Sequence, residues 1–444
     1  MKYILRNANV INEGKSFFAD ILLNNSIIER IDNSINIVGN YNEIICEGLY
    51  LLPGLIDDQV HFREPGLTHK AEIYTESMAA VAGGITSYME MPNTKPQTVT
   101  VELLEEKYQL AKGRSFANYS FYIGATNDNL DELKKVDPKT VPGAKVFMGS
   151  STGNMLVDDN EILEKIFSQV PLLIAIHAED ESIIKRNTKI IREKYGDNPP
   201  FSIHPLIRTD EACFECTSKA VNLAKKYNTR LHILHLTTAL EVELLSKLKN
   251  ENFSNITSEV CTQHLWFTDK DYEKKQQFIK WNPAIKTESD RNALREALKN
   301  NIIDVIATDH APHTLEEKNN SYYSCPSGGP MVQHSLLVLL EMVRDGVFDL
   351  IDIPKWTAHN PAKYFGLKNR GFVREGFAGD IVVVDPNDIT KVTNSNTLYK
   401  CKWSPFDNLT FNSKIKYTFV NSNLVYNDGE IMDEAKGERL FFNT

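Results

Sequence analysis

The sequence predicts an α/β fold, a (β/α)8 barrel joined to a small β-module built from both termini. Three observations carry that reading. Eight short apolar runs alternate with amphipathic stretches in the middle of the chain, both ends hold short β-rich runs between turn signals, and no glycine-rich phosphate cradle follows any run. The expected boundaries are 1–53 plus 365–444 for the β-module and 54–364 for the barrel. At 444 residues the chain exceeds one ordinary domain but fits a barrel of about 250 residues with an added module. Its hydrophobic content of 42% and charged content of 24% suit a large buried core and exclude disorder, collagen and coiled coil.

The N-terminal module is read from residues 3–5, 21–23 and 27–28, separated by Asn, Asp and Gly. The tail repeats that style at 380–386, 417–420 and 424–426, the last before an Asn427-Asp428-Gly429 turn. Neither end has enough strands for a stable sheet, so a composite of the two is expected. The barrel strands are expected at 54–61, 85–91, 119–125, 144–148, 172–177, 231–235, 256–261 and 305–308. Between them lie helical patterns such as Ile162, Ile166 and Val170. Eight such units spell a closed barrel more readily than an open doubly wound sheet.

Lys and Arg number 49 against 59 Asp and Glu, a net charge of −10, which argues for a small-molecule substrate and against nucleic acid or an anionic membrane. No apolar run reaches the roughly 18 residues of a bilayer span, and Arg6 and Asn7 interrupt the first apolar run as no signal peptide would. A cytoplasmic location is the expectation. The six cysteines form no disulfide framework, and Cys213 and Cys216 lack a second pair for a zinc ribbon, so they are read as two thiols on one helix.

In a barrel the residues at the C-terminal strand ends carry the chemistry. Those ends hold His61, Asn93, Lys145, His177, His235, His264 and Asp309. One such histidine is unremarkable, but several imidazoles with a carboxylate on separate strands match the preference of zinc and similar cations. Asp309, with His310 and His313 beside it, could orient a water and take its proton. Lys145 has two readings. An inward-pointing ammonium would be desolvated, lose its proton and become able to take up carbon dioxide as a carbamate; local sequence favours the other, a head group snorkelling to solvent. Arg63, two residues past His61, shares its side of an extended chain and offers a fork to a carboxylate, while Asn93 offers an amide. Turn chemistry around Pro and Gly is the alternative for both.

Together these segments resemble the dihydroorotases of the metal-dependent amidohydrolase superfamily. The resemblance runs through Pro53-Gly-Leu-Ile-Asp57, His61-Phe-Arg-Glu-Pro-Gly66, Met91-Pro-Asn-Thr94, Gly143-Ala-Lys-Val-Phe147 and Ile176-His-Ala-Glu179. It continues through His204-Pro205, His232-Ile-Leu-His-Leu-Thr237, Asn282-Pro283, Thr308-Asp-His-Ala-Pro-His313 and Cys325-Pro-Ser-Gly-Gly329. The resemblance implies a distorted barrel with a β-sandwich from both termini. It implies Lys145 as N6-carboxylysine bridging zinc ions, His177 and His235 on one ion, and His61 and Asp309 on the other, with His232 behind them. Arg63, Asn93, Asn282 and His313, with the backbone around Pro326 and Gly328, would hold the substrate. The implied reaction is reversible hydrolysis of (S)-dihydroorotate to N-carbamoyl-L-aspartate in pyrimidine synthesis, with Asp309 moving the proton.

The sequence departs from the pattern at Gln59, where the family carries the first histidine of His-x-His. A neutral amide oxygen is a poorer zinc ligand than imidazole, so one or two ions are expected, with Gln59 a doubtful ligand. Thr262-Gln-His264 and Val332-Gln333 are smaller departures. A hydantoinase, dihydropyrimidinase or allantoinase is the alternative within the same chemistry. A non-catalytic scaffold is the alternative outside it, although Lys145, His177, His235 and Asp309 are all retained. The resemblance also admits a homodimer.

Overall fold

The computed structural model describes residues 2–149, 155–251, 253–432 and 434–443. Five strands open the chain: β1 (Tyr3–Asn12), β2 (Lys15–Asn24), β3 (Ile27–Asp32), β4 (Asn42–Ile45) and β5 (Tyr50–Pro53). The barrel follows as β6 (Leu55–Val60), β7 (Ile85–Glu90), β8 (Asn118–Phe121), β9 (Ile123–Gly124), β10 (Ala144–Phe147), β11 (Ile174–His177), β12 (Leu231–Ile233), β13 (Ile256–Cys261) and β14 (Val305–Ala307). Each falls on one of the eight expected runs, with β8, which starts one residue early, and β9 sharing the third. Pairing runs β6-β7-β8 and β9-β10-β11-β12-β13-β14 in parallel. The ring closes where Val60 pairs with His310 and the His61 backbone N–H donates to the His310 carbonyl at 2.7 Å. The ladder slips twice along β6, which distorts the barrel where the first site residues emerge.

The terminal strands are β15 (Ile381–Asp385), β16 (Thr390–Lys391), β17 (Thr410–Phe411), β18 (Lys414–Val420), β19 (Asn423–Asn427) and β20 (Glu430–Ile431). β16 and β17 pair only with each other; the rest join the opening strands in one sheet in the order β20-β19-β18-β15-β5-β1-β2-β3, with β4 beside β1. The seam is β5 against β15, antiparallel, with Leu52 opposite Val382. Side chains alternate across it. Ile381 and Val383 join Leu51, Val10 and Phe419 inside the sandwich, whereas Val382, Val384 and Leu52 pack on the barrel core. Each such valine, fully buried, contributes about 1.5–3 kcal/mol relative to exposure. The expected 427–429 turn joins β19 to β20, with Asp428 and Gly429 both at positive φ.

Cys213 and Cys216 sit on the helix Asp210–Tyr227, and the six cysteines are free and buried. Among the described residues, no helix is long and apolar enough to cross a membrane.

Candidate active site

The C-terminal mouth of the barrel opens into a cavity of about 400 Å³. Gln59, His61, Arg63, Asn93, Lys145, His177, His235, Asn282, Asp309, His313, Pro326 and Gly328 all line it. A larger groove of about 830 Å³ lies along the helix Val101–Ala111, and none of those residues reaches it. The chemistry is therefore concentrated in the smaller cavity.

Lys145 ends inside the barrel, 1% exposed, with its ammonium 4.6 Å from the centre of the Phe147 ring. This corrects the snorkelling expectation: β10 points Lys145 inward to the buried bottom of the cavity rather than along the outer surface to bulk solvent. Desolvation pulls its pKa down to about 7, so a large share is neutral amine at neutral pH. Beside it His177 Nδ1 and His235 Nε2 converge to 3.0 Å. The other nitrogen of His177, Nε2, lies 2.9 Å from Glu179 Oε2. Burial alone would raise the Glu179 pKa, but Arg208 and His177 hold it at about 2. An ionised carboxylate only accepts, so His177 carries its proton on Nε2 and turns a bare lone pair on Nδ1 toward His235. Burial lowers the pKa of His61, His177 and His235 alike, which keeps all three imidazoles neutral at pH 7.

Asp309 Oδ1 receives two neighbours from β6 and its end, Gln59 Nε2 at 3.2 Å and His61 Nε2 at 3.1 Å. His61 Nδ1 meets Asn93 Oδ1 at 2.8 Å, so the amide of Asn93 fixes the ring rather than standing apart from it. Arg63 reaches the cavity by a different route from the one expected. Its φ of +70° makes a left-handed turn, not an extended alternation with His61, and its Nε donates to the Pro312 carbonyl at 3.1 Å. Burial lowers its pKa to about 10, which leaves it charged at pH 7. His235 at +41° and Asp309 at +47° share the left-handed conformation. Three non-glycine residues so strained around one cavity mark a site whose surroundings over-determine it.

His313 Nδ1 lies 3.1 Å from Lys70 Nζ, and its Nε2 sits between the Ser327 carbonyl at 3.0 Å and the Arg63 guanidinium Nη2 at 3.1 Å. Two of the strand-end histidines leave the cavity. His264 turns to the Pro283 carbonyl at 3.2 Å, and His310 bonds Glu76 at 2.8 Å while accepting the Met331 N–H. Both are structural fasteners. Lys70 and Lys95 line the cavity and were not singled out from sequence; Lys70 also pairs with Glu317 at 2.9 Å. Their only sequence signal is position, each within a few residues of a loop bearing Arg63 or Asn93.

A profile of the amidohydrolase family matches residues 50–425. The chain belongs to the amidohydrolase family. A dihydroorotase of Pyrococcus abyssi is 33% identical over 401 residues, 90% of this chain and 89% of the relative. An allantoinase of Bacillus velezensis is 30% identical over 438 residues, 96% and 94% of the two chains. Among solved structures, an L-hydantoinase (dihydropyrimidinase) from Arthrobacter aurescens superposes with a TM-score of 0.94 at 26% identity, covering 99% of each chain.

Amidohydrolases are generally metal-dependent hydrolases, and the donors here suit a divalent cation. Lys145, the Nδ1 lone pair of His177 and Nε2 of His235 form a convergent set, and Glu179 behind His177 is the outer carboxylate such a ligand requires. A second group, Asp58, His232 and Glu259, lies wholly buried, its ligand atoms all within 4.8 Å of one another. Burial would lower the His232 pKa, but bonds to Asp58 and Glu259 hold it at about 9. An imidazolium has no free lone pair, so this group reads as an internal ion cluster beneath the site.

Proposed function

We propose that the chain hydrolyses a cyclic amide that carries a carboxylate, dihydroorotate, reversibly to N-carbamoyl-aspartate. The observation that carries the choice is the charge of the cavity. Arg63, Lys70 and Lys95 line it against the carboxylate of Asp309, with Glu317 paired to Lys70 from outside, in a chain whose net charge is −10. A neutral hydantoin or allantoin ring has no use for that excess of positive charge, whereas the carboxylate of dihydroorotate matches the Arg63 fork. Several dihydroorotases among the relatives support the same reading.

In this reading a divalent cation, zinc by donor type, is held by Lys145 as its carbamate with His177 and His235, and supplies Lewis acidity toward water and the ring carbonyl. The neutral amine of Lys145 is the form that takes up carbon dioxide. Arg63 grips the substrate carboxylate and so fixes the ring with its carbonyl toward Asp309. Asp309 accepts a proton from water as the new C–O bond forms. It returns that proton to the ring nitrogen as the C–N bond breaks, and ring closure runs the same transfers backwards. His313, neutral because burial and the adjacent Arg63 depress its pKa, stands between the Arg63 guanidinium and the Ser327 carbonyl and so ties the 326–328 backbone to the carboxylate-binding side of the cavity.

The test is a substrate panel on the metal-loaded protein with bicarbonate: dihydroorotate, N-carbamoyl-aspartate, hydantoin, dihydrouracil and allantoin. Turnover of the first two above the rest is expected. Preference for hydantoin, dihydrouracil or allantoin would reassign the substrate.

A further inference from the structure

Gln59 sits at the end of β6, 1% exposed, with its two amide atoms held by different neighbours. Its Nε2 donates to Asp309 Oδ1 at 3.2 Å, and its Oε1 accepts from Cys261 Sγ at 3.8 Å. The two ends are not interchangeable. A carboxylate only accepts, so it takes the amide NH2, which leaves the oxygen toward the Cys261 thiol, whose S–H also lies 3.9 Å from Glu259 Oε1. The oxygen is the single atom of a glutamine side chain able to ligate a cation, and it is engaged with Cys261, which does not line the cavity. His61, the other donor at this end, lies between two acceptor oxygens, Asn93 Oδ1 at 2.8 Å from Nδ1 and the same Asp309 oxygen at 3.1 Å from Nε2, and the single N–H of its neutral ring serves one of them.

The opposite end is built differently. His177 Nδ1 and His235 Nε2 face one another at 3.0 Å beside the Lys145 amine, and His235 Nδ1 is buried without a hydrogen-bond partner. Two imidazoles and a desolvated amine converge there, whereas at the Gln59 end one imidazole and one amide both turn to the same carboxylate.

We infer that this chain holds a single tightly bound divalent cation, on Lys145, His177 and His235, and that Gln59 is a positioning residue that fixes the Asp309 carboxylate instead of ligating a second ion. The inference rests on the hydrolytic reading above only in expecting a cation at all. It restricts the metal count and gives the Gln59 end of the cavity a different task, aligning the proton acceptor through the Nε2–H···Oδ1 bond to Asp309.

The test loads the full-length protein with Mn(II) and bicarbonate, removes excess by gel filtration, counts the metal by elemental analysis and records its electron paramagnetic resonance. The wild type should retain about one equivalent with the six-line signal of an isolated ion. Gln59→His should approach two equivalents with an exchange-coupled signal, as two ions about 3.5–4 Å apart give. Gln59→Leu should keep the single equivalent while lowering kcat about tenfold with KM little changed, since only the alignment of Asp309 is lost. Two equivalents and a coupled signal in the wild type would overturn the inference, as would loss of the ion in Gln59→Leu. A wild type that binds no ion would sink this inference and the hydrolytic reading together. One equivalent with no turnover of dihydroorotate would sink the substrate assignment alone.

Discussion

Glu179 sets the tautomer of His177, and through it the direction of a lone pair. Because its carboxylate can only accept, the imidazole proton is drawn to Nε2 and Nδ1 is left bare for a ligand role. Glu179→Gln replaces that acceptor by an amide able to donate, which permits the opposite tautomer. We expect metal affinity to fall about 10–100-fold, read by chelator competition, with the far-ultraviolet spectrum unchanged. The sequence motif around residue 176 named both residues but not this relation, which needs the ring orientation. Lys145 shows the same limit more sharply. Its apolar neighbours favour a snorkelling head group, and only the closed barrel, which turns the side chain inward to 1% exposure, shows otherwise. Arg63 was reached by the wrong geometry, an extended chain, because a positive φ at an arginine has no sequence signature.

At the scale of elements, the loop carrying Pro326 and Gly328 is pinned from behind by two buried lysines. Lys280 Nζ donates to the Tyr322 and Cys325 carbonyls at 2.7 and 2.6 Å, and Lys318 Nζ to those of Pro326 and Gly328 at 3.0 Å each. Burial lowers the Lys318 pKa from its ordinary 10.5 to about 7. A neutral amine still has an N–H for each carbonyl, so the pin survives the loss of charge. Between about pH 7 and 10.5 the unfolded chain binds a proton at this residue that the folded chain does not, so Lys318 makes stability rise with pH across that window. Lys318→Met should flatten that rise by on the order of 1 kcal/mol per pH unit in urea titrations, and raise KM for substrate while leaving metal content intact. Neither lysine was visible as a site residue in the sequence, since each acts on backbone carbonyls that only the folded loop brings near. The barrel strands were legible for the opposite reason. Each is buried on both faces and so reads locally as an apolar run.

For the molecule as a whole, the sandwich and barrel are joined by a buried polar knot around Asp380. Its carboxylate accepts from the Asn421 backbone at 2.8 Å, from Asn118 Nδ2 on β8 at 3.2 Å, and from Arg370. Asn421 Nδ2 in turn donates to Asn118 Oδ1 at 2.8 Å. Asp380→Ala strands those donors and should cost about 3–5 kcal/mol. That would lower the thermal midpoint by about 3–5 °C, with secondary structure and activity lost in one transition. The seam of β5 against β15 was inferred from the insufficiency of each end, while its register was beyond reach, because residues such as Pro53 and Ile381 pair across most of the chain without a local signal. In the proposed reading, one guanidinium, Arg63, stands at the mouth of the barrel beside the donors Lys145, His177 and His235. The most direct measurement of that claim is kcat/KM for dihydroorotate in the metal-loaded wild type and in Arg63→Met, alongside hydantoin. Loss of a charge-assisted pair predicts a fall of about 10–100-fold for dihydroorotate and little change for hydantoin. An Arg63→Met protein that hydrolyses dihydroorotate as well as the wild type would contradict it.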